Sequence, residues 1–466
     1  MSAVRSSRHF HWRLRRAWSW ACVVALALCV ATAARAAPSS IATGFFDPNA
    51  SAGGAGVPYS WLEPGLAYSR ARTAGASVAR IPILWGRVDG SSPGPADDDW
   101  FALDQVVVAA RANNMAILFT IYHGPSWAGG RAGDRPDLLA AFAVRAALRY
   151  PDVRLWQVWN EPNNQHFLHR PNRVGKYRAM VNQVAAVLRP LHPRNLIVAG
   201  ASSPFGHAEI DDGGATPPMT FMRQLLKQRT SFDIWAHHPY TRGGPTQRAA
   251  RRNDASIGNL VQMRRALVRS VSAGKVVNRA KVRFWVTEFL WDSKGPDPCG
   301  VPLALHGRWT AEAVYRMWKA GVTLITWTQL RDYPFVRSKP GKRGIPYQGG
   351  LYRWGGEGRF GRAKPALKAF RFPFVAFRRP GGAYVWGRTP NGTAGRVLVQ
   401  RRTSSGWRTI ARLSTNRHGL FQRRVFKPLG ARSVLRARKA SGGPPSLHFA
   451  LRVPRAPDPL PQPLGC

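Results

Sequence analysis

Eight short β-rich segments alternate with longer helical stretches between about residues 40 and 330. The candidate strands are Ile41–Phe46, Val78–Leu84, Ala116–Tyr122, Leu155–Trp159, Leu196–Ala199, Phe232–Ala236, Val282–Thr287 and Thr323–Trp327. The amphipathic stretches between them include Leu138–Arg149, Val174–Leu188, Gly258–Val271 and Ala311–Lys319. Because parallel strands need crossover helices, eight such units predict a closed (β/α)₈ barrel rather than an open doubly wound sheet.

The pattern changes after Arg371. Pro365–Phe370 is the predicted last helix of the barrel, and short alternating segments separated by turn residues follow it. These candidate strands are Ala383–Gly387, Arg396–Arg401, Trp407–Leu413, Gly419–Val425 and Val434–Ala437. We therefore predict an α/β protein, a (β/α)₈ TIM barrel with a C-terminal β-sandwich accessory domain of the immunoglobulin or fibronectin type.

The N-terminus has the features of an export signal. Five arginines within the first 16 residues precede the apolar run Ala17–Ala33, and Ala34-Arg35-Ala36 fits a small-x-small cleavage site. Secretion is the prediction, and a retained N-terminal membrane anchor is the alternative because the run is long for a signal peptide. The predicted domains are residues 1–37 (signal peptide), 38–370 (barrel), 371–453 (β-sandwich) and 454–466 (Pro-rich tail).

Two of the four cysteines, Cys22 and Cys29, lie inside the predicted signal peptide. In an oxidising compartment the remaining Cys299 and Cys466 either form a disulfide or stay as free thiols, and the sequence leaves both open. No C-x-x-C pair occurs, so a cysteine-based zinc site is not expected. No G-x-G-x-x-G follows the first strand and no Walker sequence is present. We therefore predict neither a metal nor a cofactor.

The formal net charge of +46 raises the question of a nucleic-acid partner. The basic residues, however, are spread along the whole chain and form neither a recognition helix nor an RNA-binding signature. We therefore expect no nucleic-acid partner. A basic surface of this kind favours contact with anionic cell-wall polymers or acidic polysaccharides. The sequence does not determine the oligomeric state.

Glutamate is scarce, with only six in the chain, and two of the six stand just past the end of a predicted strand. Glu161 follows the fourth strand in Trp159-Asn160-Glu161-Pro162-Asn163, and Glu288 follows the seventh in Val286-Thr287-Glu288-Phe289. Catalytic groups of eight-stranded barrels come from this C-terminal rim. The two residues are 127 positions apart, so only a closed barrel brings them together.

These motifs resemble those of the clan A glycoside hydrolases, which are retaining (β/α)₈ enzymes. The Trp-Asn-Glu-Pro-Asn run is most similar to family 39, the β-xylosidase and α-iduronidase family. The His238-Pro239-Tyr240 element is similar to one in the cellulase-like family 5. The resemblance covers roughly residues 40–370 and implies that Glu161 is the general acid/base and Glu288 the nucleophile. Such a mechanism requires one protonated and one ionised carboxyl group about 5–5.5 Å apart.

The resemblance also implies roles in substrate binding. In the clan, an Asn in the position of Asn160 bonds the 2-hydroxyl of the sugar, and an Arg on the second strand, here Arg80, lies near the nucleophile. Tyr240 would hydrogen-bond Glu288. Trp327, at the end of the eighth strand, would be a sugar platform.

Two histidines at strand ends, His123 and His238, are candidates to line the same site. The predicted function is a secreted retaining glycoside hydrolase that cleaves O-glycosidic bonds of a glycoside or polysaccharide. The alternatives are a transglycosylase using the same residues, and a non-catalytic carbohydrate- or cell-wall-binding protein on a barrel scaffold. The sequence does not identify the sugar or the linkage, and it does not show whether cleavage is endo- or exo-acting.

Overall fold

The computed structural model describes residues 37–47, 63–90, 99–206, 214–241, 243–335 and 347–451. The predicted signal peptide, apart from Ala37, and the Pro-rich tail lie outside these residues. Cys299 is disulfide-bonded. The other three cysteines lie outside the described residues, so its pairing with Cys466 stays a prediction.

Eight parallel strands close into a barrel in the order β1-β10-β9-β7-β5-β4-β3-β2. They are β1 (Ala42–Phe46), β2 (Val78–Leu84), β3 (Ala116–Tyr122), β4 (Leu155–Val158), β5 (Leu196–Ser202), β7 (Ile234–His237), β9 (Arg283–Val286) and β10 (Leu324–Thr328). Each overlaps one of the eight predicted strands. The two-residue strands β6 (Thr230–Ser231) and β8 (Val276–Val277) pair with each other outside the barrel. The predicted TIM barrel is therefore confirmed.

Helices surround the barrel and bury one face against it. They are α1 (Pro64–Thr73), α2 (Trp85–Val88), α3 (Phe101–Ala112), α4 (Pro136–Arg149), α5 (Arg173–Leu191), α6 (Pro218–Leu225), α7 (Leu260–Ser272) and α8 (Leu303–Lys319). In α4 the buried residues Leu139, Phe142, Ala143 and Ala146 recur at helical spacing, so they form one apolar stripe. In the part of the chain that the structure describes, no helix is long and apolar enough to cross a membrane.

Sheets of the sandwich type follow the barrel, as predicted. After the hairpin β11 (Tyr352–Trp354) and β12 (Phe360–Ala363), helix α9 spans Pro365–Arg371. The first sheet is β13-β14-β17, from Phe374–Arg379, Gly382–Arg388 and Leu420–Phe426. The second is β16-β15-β18-β19, from Gly406–Ser414, Arg396–Thr403, Val434–Lys439 and Phe449–Ala450. Strand β13 was not predicted because the run from Phe374 to Phe377 is apolar throughout and does not alternate.

Aromatic side chains join the first sheet to the barrel. Tyr315 and Trp318 on α8 pack against Trp386 on β14, with ring centroids 5.4 and 5.2 Å apart. Tyr315 also contacts Phe377 at 5.2 Å and Tyr384 at 6.2 Å. Trp386 has no exposed surface. The β-sandwich is therefore packed against α8 through a continuous apolar contact.

We expect Trp386→Ala to lower the free energy of unfolding by about 3–5 kcal/mol, because it leaves a cavity between α8 and the sheet. Chemical denaturation followed by circular dichroism measures the loss. Phe426→Ala in the neighbouring strand β17 is the control. Its ring is 67% exposed, and the change should stay within about 0.5 kcal/mol. Equal losses in the two variants would contradict this account of the interface.

Candidate active site

The two predicted catalytic carboxyl groups meet at the C-terminal rim of the barrel. Glu161 follows β4 and Glu288 follows β9, and their side chains are 12% and 11% exposed. A carboxylate oxygen of each lies within 4.8 Å of the other. The closed barrel therefore places the two groups side by side, and each keeps a small surface for contact with a ligand.

Arg80 connects the strands beneath these carboxyl groups. Its Nη1 donates to Glu288 Oε1 and, at 3.1 Å, to the carbonyl of Thr287. Its Nε donates to Thr120 Oγ1 at 3.0 Å, and its Nη2 donates to Asn160 Oδ1 at 2.7 Å. The side chain is only 1% exposed. A buried guanidinium needs such partners, and here they come from the ends of three other strands.

The orientation of Asn160 follows from its contact with Arg80. A guanidinium can only donate, so the amide atom facing it at 2.7 Å must be the oxygen. The Nδ2 group of Asn160 then remains as a donor next to Glu161. The arrangement suits a hydrogen bond to a substrate hydroxyl.

The backbone after β4 is bent to aim Glu161. Trp159 and Glu161 adopt φ angles of +65° and +39°, in the left-handed region that non-glycine residues rarely occupy. Their amides donate to the carbonyls of Ile121 at 2.8 Å and Ala201 at 3.0 Å, so the neighbouring strands hold the turn. Unfavourable backbone angles of this kind concentrate at functional sites.

Glu288 is held in its ionised form. Burial raises the pKa of its carboxyl group, but the charges of His238 and Arg80 and the hydrogen bonds from Arg80 and Tyr240 outweigh burial, so the pKa is lowered. The hydroxyl of Tyr240 donates to Glu288 Oε2 at 2.8 Å and also lies 3.3 Å from Thr328 Oγ1. Both oxygens of Glu288 therefore accept hydrogen bonds, and an ionised carboxylate is suited to nucleophilic attack.

His238 lies between the two carboxyl groups and is fully buried. Its Nδ1 is 2.9 Å from Glu161 Oε1 and 3.7 Å from Glu288 Oε1. Its Nε2 is 3.1 Å from Thr287 Oγ1. The structure therefore brings His238 into direct contact with Glu161, where it orients the carboxyl group.

Glu161, His238 and Glu288 also offer one ligand atom each to a metal ion. Arg80 and Tyr240, however, already bond both oxygens of Glu288, and a cation there would be repelled by the guanidinium. We therefore interpret the cluster as a pair of reacting carboxyl groups with their supporting residues.

One predicted site residue faces away from the site. Trp327 was expected to be a sugar platform, and this prediction is wrong: it has no exposed surface. Its ring faces the helices, 5.8 Å from Phe370 of α9, because side chains alternate along β10 and Thr328 takes the inward position. His123 lies at the rim against Tyr122 and Phe167, and within the described residues it has no hydrogen bond to either carboxyl group.

Sequence reasoning missed an aromatic residue near the carboxyl groups. Tyr347 is 48% exposed. Burial and then the charges of Glu288, Asp292 and Glu161 raise the pKa of its hydroxyl. Tyr347 follows no predicted strand, so no sequence pattern identified it.

Neighbouring residues hold the backbone at Tyr347. Its carbonyl accepts hydrogen bonds from Gln329 Nε2 at 2.6 Å and from the amide of Tyr333 at 3.0 Å. The next amide, of Gln348, donates to Asp292 Oδ1 at 2.7 Å. The half-exposed ring is therefore presented on a fixed backbone.

Residues 51–274 match the model of the cellulase family, glycosyl hydrolase family 5. This match confirms the predicted resemblance to the clan A glycoside hydrolases, and the fold supports an O-glycosyl hydrolase. No curated protein matches the sequence.

Solved structures of glycoside hydrolases resemble the chain at low sequence identity. A family 39 glycoside hydrolase from the gut symbiont Bacteroides cellulosilyticus WH2 matches 78% of this chain and 76% of its own, at 13% identity and a TM-score of 0.50. A tri-modular family 5 endo-β-1,4-glucanase from Bacillus licheniformis matches 89% of this chain and 78% of its own, at 14% identity and a TM-score of 0.46. Thermotoga maritima Cel5A matches 67% of this chain and 93% of its own, at 16% identity and a TM-score of 0.42. The first likeness agrees with the barrel fold.

We expect Arg80→Gln to lower the thermal stability more at neutral pH than at about pH 3. Because the folded pKa of Glu288 lies below its ordinary value of 4.5, ionised Glu288 stabilises the fold above that pH, and the contribution is lost as the pH falls. Without Arg80, fewer groups oppose the effect of burial, so the pKa of Glu288 rises and its ionised form stabilises the fold less. Melting curves at both pH values measure the difference.

The exposed Arg229→Gln is the control for this experiment, and its effect should not depend on pH. An equal loss of stability at both pH values in Arg80→Gln would show that Arg80 acts only through packing.

Proposed function

We propose that this chain is a secreted retaining glycoside hydrolase, with Glu288 as nucleophile and Glu161 as general acid/base. The observation that carries the proposal is the approach of the two carboxylate oxygens to within 4.8 Å. Retaining enzymes hold their carboxyl groups about 5–5.5 Å apart, whereas inverting enzymes leave about 6.5–9.5 Å for a water molecule. The spacing therefore supports direct attack by a carboxylate.

In the first step, an oxygen of ionised Glu288 attacks the anomeric carbon of the sugar. The bond from that carbon to the glycosidic oxygen breaks, and Glu161 donates its proton to the departing oxygen. The products are a glycosyl ester on Glu288, an ionised Glu161 and the released alcohol. The lowered pKa of Glu288 favours this assignment, since His238, Arg80 and Tyr240 stabilise its ionised form.

In the second step, ionised Glu161 takes a proton from water as the water oxygen attacks the anomeric carbon. The ester bond breaks and Glu288 leaves as a carboxylate. Two inversions give a sugar with its original configuration. Asn160 Nδ2 is suited to bond the 2-hydroxyl, an interaction that strengthens in the transition state.

Secretion rests on the N-terminal sequence, with its arginines, the apolar run Ala17–Ala33 and Ala34-Arg35-Ala36. The net charge of +46 supports contact with anionic cell-wall polymers outside the cell. The substrate is an oligo- or polysaccharide.

We expect Glu161→Ala to reduce kcat about 10²–10⁴-fold on substrates with a poor leaving group, because the alcohol then leaves without a proton. For substrates with an activated leaving group kcat/KM should be affected much less, while kcat stays low because the second step also lacks its general base. Added azide should restore turnover and form a glycosyl azide of retained configuration, which NMR identifies.

In the same experiment, a 2-fluoro-glycoside should label Glu288 in the wild type, and mass spectrometry should find no label in Glu288→Gln. Glu357→Gln is the matched control, since Glu357 is exposed on the surface and should leave the rate unchanged. An inverted product, or a label on another carboxyl group, would overturn the assignment.

The half-exposed ring of Tyr347 supports a second element of the proposal. Trp327 does not face the site, whereas Tyr347 is half-exposed on a backbone that is held by the rim segments following β9 and β10. A rigid aromatic face provides apolar contact area for the faces of sugar rings. We assign the sugar platform to Tyr347.

We expect Tyr347→Ala to raise KM about 3–10-fold with a smaller change in kcat, because an aromatic contact contributes about 0.5–1.5 kcal/mol. Tyr347→Phe keeps the ring and should behave like the wild type. Steady-state kinetics on one substrate measures both variants. A KM that is unchanged in Tyr347→Ala would remove the platform role and leave the catalytic assignment untouched.

A further inference from the structure

The C-terminal sheets have an unusual charge composition. Residues 374–451 contain 16 Lys or Arg and no Asp or Glu. Positive side chains in this part of the chain therefore have no carboxylate of their own domain to pair with. The excess of positive charge in these sheets is therefore not neutralised by acidic residues of the same sheets.

The strand register gathers arginines on one face of the sheet β16-β15-β18-β19. Leu398 pairs with both Arg412 and Arg438, Gln400 pairs with Arg436, and Arg402 pairs with Trp407. Residues directly opposite each other lie on the same face, and 398, 400 and 402 alternate along β15. We call Arg402, Arg412, Arg436 and Arg438 the cationic face.

The cationic face points away from the core. Arg402, Arg412 and Arg438 are exposed, whereas Val397, Val399 and Leu435 on the opposite side of the sheet are fully buried. Strands lie about 4.8 Å apart and successive same-face residues about 6.7 Å apart, so the arginine positions form a fixed two-dimensional array.

The charges of the cationic face act on one another and on Lys368 of α9. Burial and the charge of Arg438 lower the pKa of Arg436, and burial and the charge of Arg436 lower the pKa of Lys368 on α9. Within the described residues, Arg412 and Arg438 have no carboxylate partner. Arg402 and Arg436 lie diagonally on adjacent strands, and Arg412 and Arg438 flank Leu398 from either side. A bound polyanion would offset the repulsion between these like charges.

We propose that the cationic face binds an acidic polysaccharide, a carbohydrate polymer carrying carboxylate groups, and holds it to the enzyme. The guanidinium fork matches a carboxylate through two parallel hydrogen bonds, and the charged residues among the paired positions of this face are all arginine rather than lysine. A polymer with repeated charges suits a fixed array better than a single small anion does.

The aromatic content of the face disfavours single-stranded nucleic acid as the occupant. Such ligands are bound by stacking successive bases on several aromatic side chains. Trp407 is the aromatic residue among these paired positions, and the guanidinium of Arg436 covers one side of its ring at 4.1 Å from the centroid. The face is therefore better suited to bind carboxylate groups through its guanidinium groups than to stack nucleic-acid bases.

Binding at the cationic face goes beyond the proposed catalytic function and does not depend on turnover. The chain carrying Glu288→Gln can therefore be used, with polygalacturonate as the probe and its methyl-esterified form as the uncharged control. Biolayer interferometry at low and at physiological ionic strength measures the Kd. We expect the ester to bind much more weakly and added salt to weaken polygalacturonate binding.

The variant pair Arg412→Gln/Arg438→Gln should raise the Kd for polygalacturonate about tenfold at low salt, since two exposed ionic contacts are lost. The matched control is Arg423→Gln/Arg432→Gln, two exposed arginines of the same domain outside the cationic face. It removes the same charge and should change the Kd less than about twofold.

Three outcomes would overturn the proposal. An equal effect of the two variant pairs would show that only net charge matters. Equal binding of the methyl-esterified polymer would exclude carboxylate recognition. Tighter binding of a single-stranded DNA oligonucleotide, weakened by the same pair, would identify a nucleic acid as the occupant. If the wild-type chain showed no glycosidase activity but none of these three outcomes occurred, only the catalytic proposal would be overturned.

Discussion

The arrangement of the active site depends on the buried guanidinium of Arg80. It bonds the hydroxyl of Thr120, the amide oxygen of Asn160 and the carbonyl and carboxylate at the end of β9, and it lies 4.4 Å from the ring centroid of Phe46. These groups come from the ends of strands far apart in sequence. A charge taken out of water must be paired, so the same contacts that satisfy Arg80 also position Glu288, the proposed nucleophile, and orient Asn160. The contacts of Arg80 therefore both stabilise the barrel and arrange the candidate site.

The sequence predicted which residues lie at the ends of the barrel strands. It did not determine whether a residue at a strand end faces the interior of the barrel or the surrounding helices. Glu161 and Glu288 were found because both follow apolar runs at the rim of the barrel. Trp327 was placed in the site because it also stands near a strand end. Along β10, however, a shift of one residue reverses the face, and Thr328 rather than Trp327 points inward.

Tyr347 shows a different limit of sequence reasoning. Its position depends on Gln329, Tyr333 and Asp292, which bond the backbone around it from two separate rim segments. Such contacts have no periodic signature, whereas the barrel was predicted from alternating β-rich and helical segments and the sandwich from short alternating strands. Loops of this kind determine what a barrel enzyme binds, so the fold is more predictable than the substrate.

The two functional surfaces treat charge in opposite ways. In the barrel, the guanidinium of Arg80 and the carboxylate of Glu288 neutralise each other, which keeps one protonation state without a bound ligand. On the cationic face, arginines lie on neighbouring strands, and within the described residues Arg412 and Arg438 have no carboxylate partner, so an external anion would offset their charge. The ion pair of Arg80 and Glu288 pre-organises the candidate site. The arginines of the cationic face, in contrast, are available to form ion pairs with an acidic polymer. A chain with both surfaces could hold an acidic polymer through the sheet while the barrel acts on a glycosidic bond.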